Sequence, residues 1–244
     1  MKKIEGRNAV VELLKGDRNV KEIIIQKSSK GERIKEIEKL AKKNRIPLKK
    51  ANKKHFKQIS ESHSPQGVIA RAEKVKFVDP LDIINFAHKK NEEPFIIILD
   101  QIQDPQNFGS IIRSAHSAGA HGIIFPKRRA AGLTPVVNKA ASGAVEYIKL
   151  ARVSNINYTI KSLKENGIWV TGTDAESSQL LYDVDYSDPT AIVIGNEGHG
   201  IRRLVRENCD FMVKIPMQGN LSSLNASVSA GIIMYEVVRQ RILS

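Results

Sequence analysis

The stretch AIVIGNEGHGIRRL (191–204) sets a carboxylate inside a glycine turn. Residues 191–194 read as a buried strand, Gly195, Gly198 and Gly200 as the turn, and residues 201–205 as the start of a helix. Strand, glycine turn and helix are the parts of a nucleotide cradle, because glycine lets the backbone close on a ligand and a helix start favours anions. Glu197 stands where a phosphate would lie, and like charges repel strongly in a low-dielectric site. The Gly-x-x-Gly-x-Gly spacing departs from the Rossmann fingerprint, and no Walker-type Gly-Lys-Ser/Thr occurs in the chain. The turn therefore suits a nucleoside-like ligand that lacks phosphates, with a plain surface loop as the alternative.

Two further constellations flank this one in sequence. In LDQIQDPQNFGSIIRSAHSAGAHGIIF (99–125), Asp104-Pro105 reads as a turn and Asn107 as the N-cap of a helix. Phe108, Ile111, Ile112 and Ala115 form the buried stripe of that helix, which leaves Arg113 on its polar side. In VKIPMQGNLSSLNASVSAGIIMYEVVRQ (213–240), a strand ends at Pro216, and a polar loop with Ser222 and Ser223 leads to a helix beginning near Asn225. Leu224, Val228, Ile232 and Tyr235 follow at helical spacing. Ser222 or Ser223 alone would only cap a helix. Two polar, glycine-containing loops leaving one sheet edge instead make two walls of a pocket.

The elements that position these residues follow from hydrophobic period. Strand-like runs recur from FIIILD (95–100) through GIIF (122–125), GIWVTGTD (167–174), AIVIG (191–195) and FMVKIP (211–216). Helical patterns lie at 107–118, 135–144, 154–166, 199–207 and 225–242. This alternation predicts an α/β fold with a parallel sheet covered on both faces, whose carboxyl edge binds ligands. Residues 1–75 read as a separate small α/β domain: helix NAVVELLK, strand VKEIIIQK, helix GERIKEIEKLAKKNR, strand IPLKKA, short helix KKHFKQIS and strand PQGVIARAE. Residues 76–94 read as a linker and residues 95–244 as the site-bearing domain.

Charge separates the two parts as sharply as pattern does. The chain carries +13 overall, and residues 1–75 hold 21 Lys+Arg against 9 Asp+Glu, a net of +12. Such segregation points to a polyanion partner, since cationic side chains gain affinity by releasing counterions from phosphates. A solvated lysine-rich face is the alternative. Cys209 is the only cysteine, which excludes an intrachain disulfide and a cysteine-based zinc site. No His-Glu-x-x-His and no Gly-x-Ser-x-Gly occurs, and His116, His121 and His199 lack ligand spacing, so no metal is expected. No apolar run approaches the ~18 residues that span a bilayer, and the N-terminus lacks the pattern of a signal peptide, so a cytoplasmic protein is expected.

Taken in order, NFGSIIRSAHSAGA, IVIGNEGHGI and IPMQGNLSSLNASVSAGI resemble the three signature motifs of the SpoU/TrmH family of RNA ribose 2′-O-methyltransferases, within the SPOUT superfamily. The resemblance covers residues 95–244 and implies a parallel sheet with a deep trefoil knot, a topology that nothing else in the sequence would suggest. EGRNAVVELL and SPQGVIARAE resemble the L30e-like RNA-binding domain of the subgroup that methylates a guanosine of 23S rRNA, although Pro65 precedes Gln66-Gly67 where that subgroup usually has His. The cofactor implied is S-adenosylmethionine, an adenosine without phosphate and with a cationic sulfonium, which a nearby carboxylate tolerates. The family's cofactor positions match Gly195, Ile215 and Leu224, with Thr171 and Gly172 nearby. Its functional polar positions match Asn107, Arg113, Glu197, Ser223 and Asn225. The resemblance also implies a homodimer in which Arg113 reaches the partner's cofactor site. A guanidinium is a poor base, so Arg113 is read as a phosphate clamp rather than the proton acceptor. Lys127, Arg128 and Arg129 are expected to contact RNA backbone. A tRNA ribose methyltransferase and a non-catalytic RNA-binding protein are the competing readings.

Overall fold

The computed structural model describes residues 1–62, 65–220 and 223–243; Ser222 and part of the expected segment SPQGVIARAE lie outside them. In chain order the first elements are β1 (Lys2–Glu5), α1 (Arg7–Lys15), β2 (Val20–Gln26), α2 (Glu32–Lys43), β3 (Leu48–Ala51), α3 (Lys53–Ile59) and β4 (Val68–Ala72). There follow α4 (Pro80–His88), β5 (Phe95–Asp100), α5 (Pro105–Ser117), β6 (Gly122–Pro126), α6 (Pro135–Ala140), β7 (Lys149–Val153) and α7 (Ile156–Glu165). The remaining elements are β8 (Trp169–Thr173), β9 (Gln179–Leu180), β10 (Thr190–Gly195), α8 (Arg203–Arg206), β11 (Phe211–Lys214) and α9 (Ala226–Leu243). They gather into two compact units, one of Met1–Lys76 with Gly132–Tyr147, the other of Phe77–Ala131 with the chain from Ile148 onward.

In the first unit the run VKEIIIQ has apolar residues for both faces of a strand. Ile23 and Ile25 of β2 meet Val10, Val11, Leu13 and Leu14 of α1 and Ile34, Ile37 and Ala41 of α2 on one face. Ile24 joins Ala51, Ile69 and Phe56 of α3 on the other, as strand alternation requires. The sheet order is β1-β4-β2-β3, with β4 antiparallel to both its neighbours and β3 parallel to β2. Strand β1 was not expected, because KKIE is short and charged; its pairing with β4 creates it.

The segment 132–147 departs from the expected division, which put it with the site-bearing part. It packs with the N-terminal residues. Glu146 accepts a hydrogen bond from Arg18 at 2.8 Å, and Tyr147 donates to Glu12 at 2.6 Å. Burial raises the Glu146 carboxyl and lowers the Arg18 guanidinium from their ordinary values, each partly opposed by the other's charge. Burial and the Glu12 carboxylate push the Tyr147 hydroxyl up to about 12.

The second unit is built on a seven-stranded sheet, β7-β6-β5-β10-β8-β11-β9, parallel at every pairing. Ile96, Ile97, Ile98 and Leu99 of β5 are all buried, which marks a strand covered on both faces. The chain runs outward from β5 through β6 to β7, then returns so that β10 lies between β5 and β8. This reversal opens a crevice at the carboxyl ends of β5 and β10, the usual place for a ligand in such sheets. Strands β7 and β9 escaped sequence reading; LysLeuAlaArgVal shows no apolar run, and β9 has only two residues. Helix α9 buries Ala226, Ala230, Ile233, Met234 and Val237. The expected stripe is displaced, for Val228 and Tyr235 are 49% and 53% exposed. No helix among the described residues is long and apolar enough to cross a membrane.

Candidate active site

Strand register sets Gly195 beside Asp100 at the carboxyl ends of β10 and β5. Beyond Gly195 the loop closes on itself: Asn196 and Gly200 exchange backbone hydrogen bonds of 3.1 and 2.8 Å. A Cβ on Gly195 would lie 2.3 Å from the Gly200 carbonyl carbon, so only glycine lets the loop fold back here. Two side-chain anchors then fix the loop to β5. Asn196 Nδ2 donates to the Gln101 carbonyl at 3.1 Å. The Arg202 backbone N–H and Nε donate to the fully buried Asp100 carboxylate at 2.9 and 2.8 Å, and Arg202 Nη2 stands 2.7 Å from it. The result presents Glu197 at the exposed tip of the loop.

Helix α5 begins one turn earlier than its expected cap. Asp104 is the N-cap, and its Oδ1 accepts from the Asn107 backbone N–H at 2.7 Å. Asn107 is therefore inside the first turn, and capping makes no demand on its side chain. Both ends of that amide are committed elsewhere. Asn107 Nδ2 donates to Glu197 Oε1, and Asn107 Oδ1 accepts from Asn225 Nδ2 at 3.0 Å. Asn225 in turn caps α9, its Oδ1 accepting from the Ser227 N–H at 3.0 Å and from the Ser227 hydroxyl at 2.6 Å. A chain of hydrogen bonds thus links the three motifs, Asn225 to Asn107 to Glu197. One Glu197 oxygen holds an amide donor, and the residue stays exposed at the tip of its loop.

The remaining expected residues are placed differently. Arg113 is exposed on α5, and six positions after Asn107 put it about 9 Å along the axis and on another face. No hydrogen bond among the described residues ties it to the trio. Ser223 is exposed two residues before Asn225, also outside the trio's hydrogen bonds among the described residues. Gly195 closes β10 and Ile215 follows β11, the strands that flank β8, and with Leu224 they are half-buried. Thr171 and Gly172 are buried within β8. A Cβ on Gly172 would lie 2.6 Å from Met212 Sδ and 3.0 Å from Cys209 Sγ, so packing accounts for that glycine. The Cys209 thiol donates to the Val205 carbonyl at 3.3 Å, and burial pushes it up to about 12, which leaves no reactive thiolate. No cluster of metal-ligating side chains occurs among the described residues.

Sequence reasoning missed Asp100, Asp104, Asn196 and Arg202, which hold the site's shape. A carboxylate closing an apolar strand and an arginine just past a glycine turn were the signals available. A phosphate-free nucleoside fits what is present. The crevice offers backbone at three adjacent strand ends, and its one prominent side chain is a carboxylate that would repel a pyrophosphate.

Comparison with known proteins agrees with this geometry. Residues 94–235 match the model of the SpoU rRNA methylase family, and residues 3–78 match that of the RNA 2′-O ribose methyltransferase substrate-binding domain. The Bacillus subtilis protein YacO, assigned to the TrmH family of tRNA/rRNA methyltransferases, is 45% identical over 97% of this chain and 94% of its own. The 23S rRNA (guanosine-2′-O-)-methyltransferase RlmB of Pseudomonas putida is 39% identical over 99% of this chain and 97% of its own. The crystal structure of the SpoU methyltransferase AviRb from Streptomyces viridochromogenes, in complex with AdoMet, superposes with a TM-score of 0.83 at 28% identity, covering 99% of this chain and 91% of that one.

Proposed function

Since the chain belongs to the SpoU rRNA methylase family, we propose that it methylates the ribose 2′-hydroxyl of a guanosine in 23S rRNA. Its fold is that of the SPOUT methyltransferases, a class with a trefoil knot, and its cofactor is S-adenosylmethionine. When bound, that cofactor supplies an electrophilic methyl group on a sulfonium, open to in-line attack by the hydroxyl oxygen. The observation that carries the reading is the hydrogen-bonded trio Asn225, Asn107 and Glu197, which draws the three motifs to one point.

The chain's residues have two tasks at that point: to hold the ribose in attacking geometry and to handle a weakly acidic proton. Asn107 and Asn225 fix the Glu197 carboxylate, which accepts a hydrogen bond from the ribose and orients its hydroxyl. Gly195, Ile215 and Leu224 hold the cofactor through backbone, with Thr171 and Gly172 forming the floor. Ser223 lines the entrance. Arg113, exposed and without a hydrogen bond to its own chain's trio among the described residues, is assigned a role in a homodimer, clamping a phosphate at the partner's site. The apolar surface at Val228 and Tyr235 on α9, which packs against α5, supplies the interface. The +12 charge of residues 1–75 and the match to a substrate-binding domain favour a large structured RNA, in the cytoplasm. Labelled methyl transfer from S-adenosylmethionine to separately purified 23S rRNA, 16S rRNA and tRNA tests this. Incorporation confined to 23S rRNA is expected; transfer to tRNA alone refutes the substrate, and binding without transfer to any RNA refutes the enzyme.

A further inference from the structure

A cavity of about 690 Å³ opens on the carboxyl side of β5, β6 and β7 in the second unit. Its size falls among pockets that enclose a small ligand, ~300–1,000 Å³. Lys127, Arg128, Arg129 and Arg202 give it four cations, while Gln101, Asn155 and Asn157 contribute amides. Among the described residues no carboxylate lines it. Asp100, the partner of Arg202, is fully buried beneath, which holds that guanidinium in place while Lys127, Arg128 and Arg129 remain to face an anion. Asn157 lines the cavity, and its Oδ1 is buried with no donor among the described residues. Cations alone would mark a backbone track. Asn155 Oδ1 already accepts from the Tyr158 N–H at 3.2 Å as the cap of α7. The side-chain amides of Gln101, Asn155 and Asn157 therefore bring N–H donors beside the cations, which suits a phosphate and the acceptor atoms of a base edge at once.

The cavity also adjoins the site. Arg202 ends the glycine loop that carries Glu197, and Gln101 receives the Asn196 anchor of that loop. We propose that this cavity is a nucleotide-specificity pocket: it holds one nucleotide of the RNA next to the reactive ribose, phosphate against Lys127, Arg128 and Arg129, and base edge against Gln101, Asn155 and Asn157. The inference rests on the RNA-methyltransferase reading and deepens it, by assigning sequence choice to residues of the catalytic part rather than to the basic N-terminal one. Filling the pocket also presses on Arg202 and Gln101, so a correct nucleotide steadies the loop that presents Glu197.

The test uses the full chain with S-adenosylhomocysteine saturating the cofactor loops. Equilibrium dialysis measures binding of the four nucleoside 5′-monophosphates, inorganic phosphate and single-stranded hexaribonucleotides that carry each base centrally. One monophosphate is expected to bind at least about tenfold more tightly than phosphate, a scale set by one well-made base contact, and the hexamer with that central base should share the preference. Asn157→Ala should reduce the preference while leaving phosphate binding unchanged, and joint Arg128→Ala and Arg129→Ala should weaken every ligand. Equal binding of all four bases by the wild-type chain overturns the proposal without recourse to any variant. A preference confined to free nucleotides overturns the assignment to RNA. Methyl transfer that persists without any base preference removes this inference alone, whereas loss of the parent reading would appear as absent methyl transfer.

Discussion

Replacing Asn107 with alanine removes both hydrogen bonds of the central amide while leaving the helix that carries it intact. One lost bond is charge-assisted, to Glu197, and one is neutral, from Asn225; typical net values are about 1.5–3 and 0.5–1.5 kcal/mol. The residue is only half-buried, so the low end of each range applies, and the sum is about 2 kcal/mol. If that free energy serves to orient the ribose, kcat falls about 30-fold at about 1.4 kcal/mol per decade. Global stability should hardly change. Asp104 still caps α5 through the residue's backbone, and alanine improves helix propensity by about 0.5 kcal/mol. Asn107→Asp is the sharper variant. It keeps the acceptor for Asn225 but sets a second carboxylate against Glu197, a repulsion of about 1–4 kcal/mol at 4 Å between aqueous and protein-surface dielectric. At pH 8 it should be slower than Asn107→Ala. As pH falls the two carboxylates share a proton, an O–H···O bond replaces the lost donor, and the Asp variant should overtake the Ala variant. Single-turnover methyl transfer at saturating cofactor, with calorimetry for cofactor affinity, reads both effects. An Ala variant within threefold of wild type, or an Asp variant as fast as wild type at pH 8, refutes the trio as the organising element.

Arg113→Ala should lose at least about a hundredfold in methyl transfer with cofactor affinity unchanged, and Arg113→Lys should retain part of it because charge survives without the planar fork. Mixing Arg113→Ala with Asn225→Ala chains should restore activity through heterodimers with one intact site; exchange without recovery would place both residues at one chain's site. A 95–244 fragment should be cut by protease within 132–147, because Glu146 loses Arg18 and Tyr147 loses Glu12; resistance equal to the full chain would show that the segment holds by other contacts. His121 is buried, its Nδ1 accepting from the Phe95 N–H at 3.0 Å and its Nε2 standing 2.8 Å from Glu92, and burial lowers it from its ordinary value. The unfolded chain therefore binds a proton first, so stability should decline as pH falls through 6.5 toward the lower folded value; in denaturant melts at pH 7.5 and 5.5, His121→Gln should show a smaller decline, and an unchanged one would clear His121 of that role.

Much of this was legible where local pattern and final packing coincide. The apolar faces of α1 and α2 and the buried run of β5 follow from side-chain period alone. The three motifs were visible because polar residues and glycines interrupt strand–helix junctions in a regular α/β pattern. What stayed hidden depends on pairing across distance. Asp104 and Asn107 are both good capping types, and only the observed 2.7 Å bond decides between them; that decision turns Asn107 from a cap into the centre of the site. Helix α9 is apolar on more than one face, so its spacing could not say whether Val228 or Ala230 faces inward. The allegiance of 132–147 rests on Arg18 and Glu146, 128 positions apart, and no local signal records it. Strand β1 exists because β4 offers it an edge.

Mass spectrometry of nucleosides from 23S rRNA, incubated with the wild-type chain and methyl-labelled S-adenosylmethionine, reads the ribose transfer itself. Labelled 2′-O-methylguanosine is expected at one position, formed more slowly by Asn225→Ala. Label on a base, or a ribose label undiminished in the Asn225→Ala chain, would contradict it.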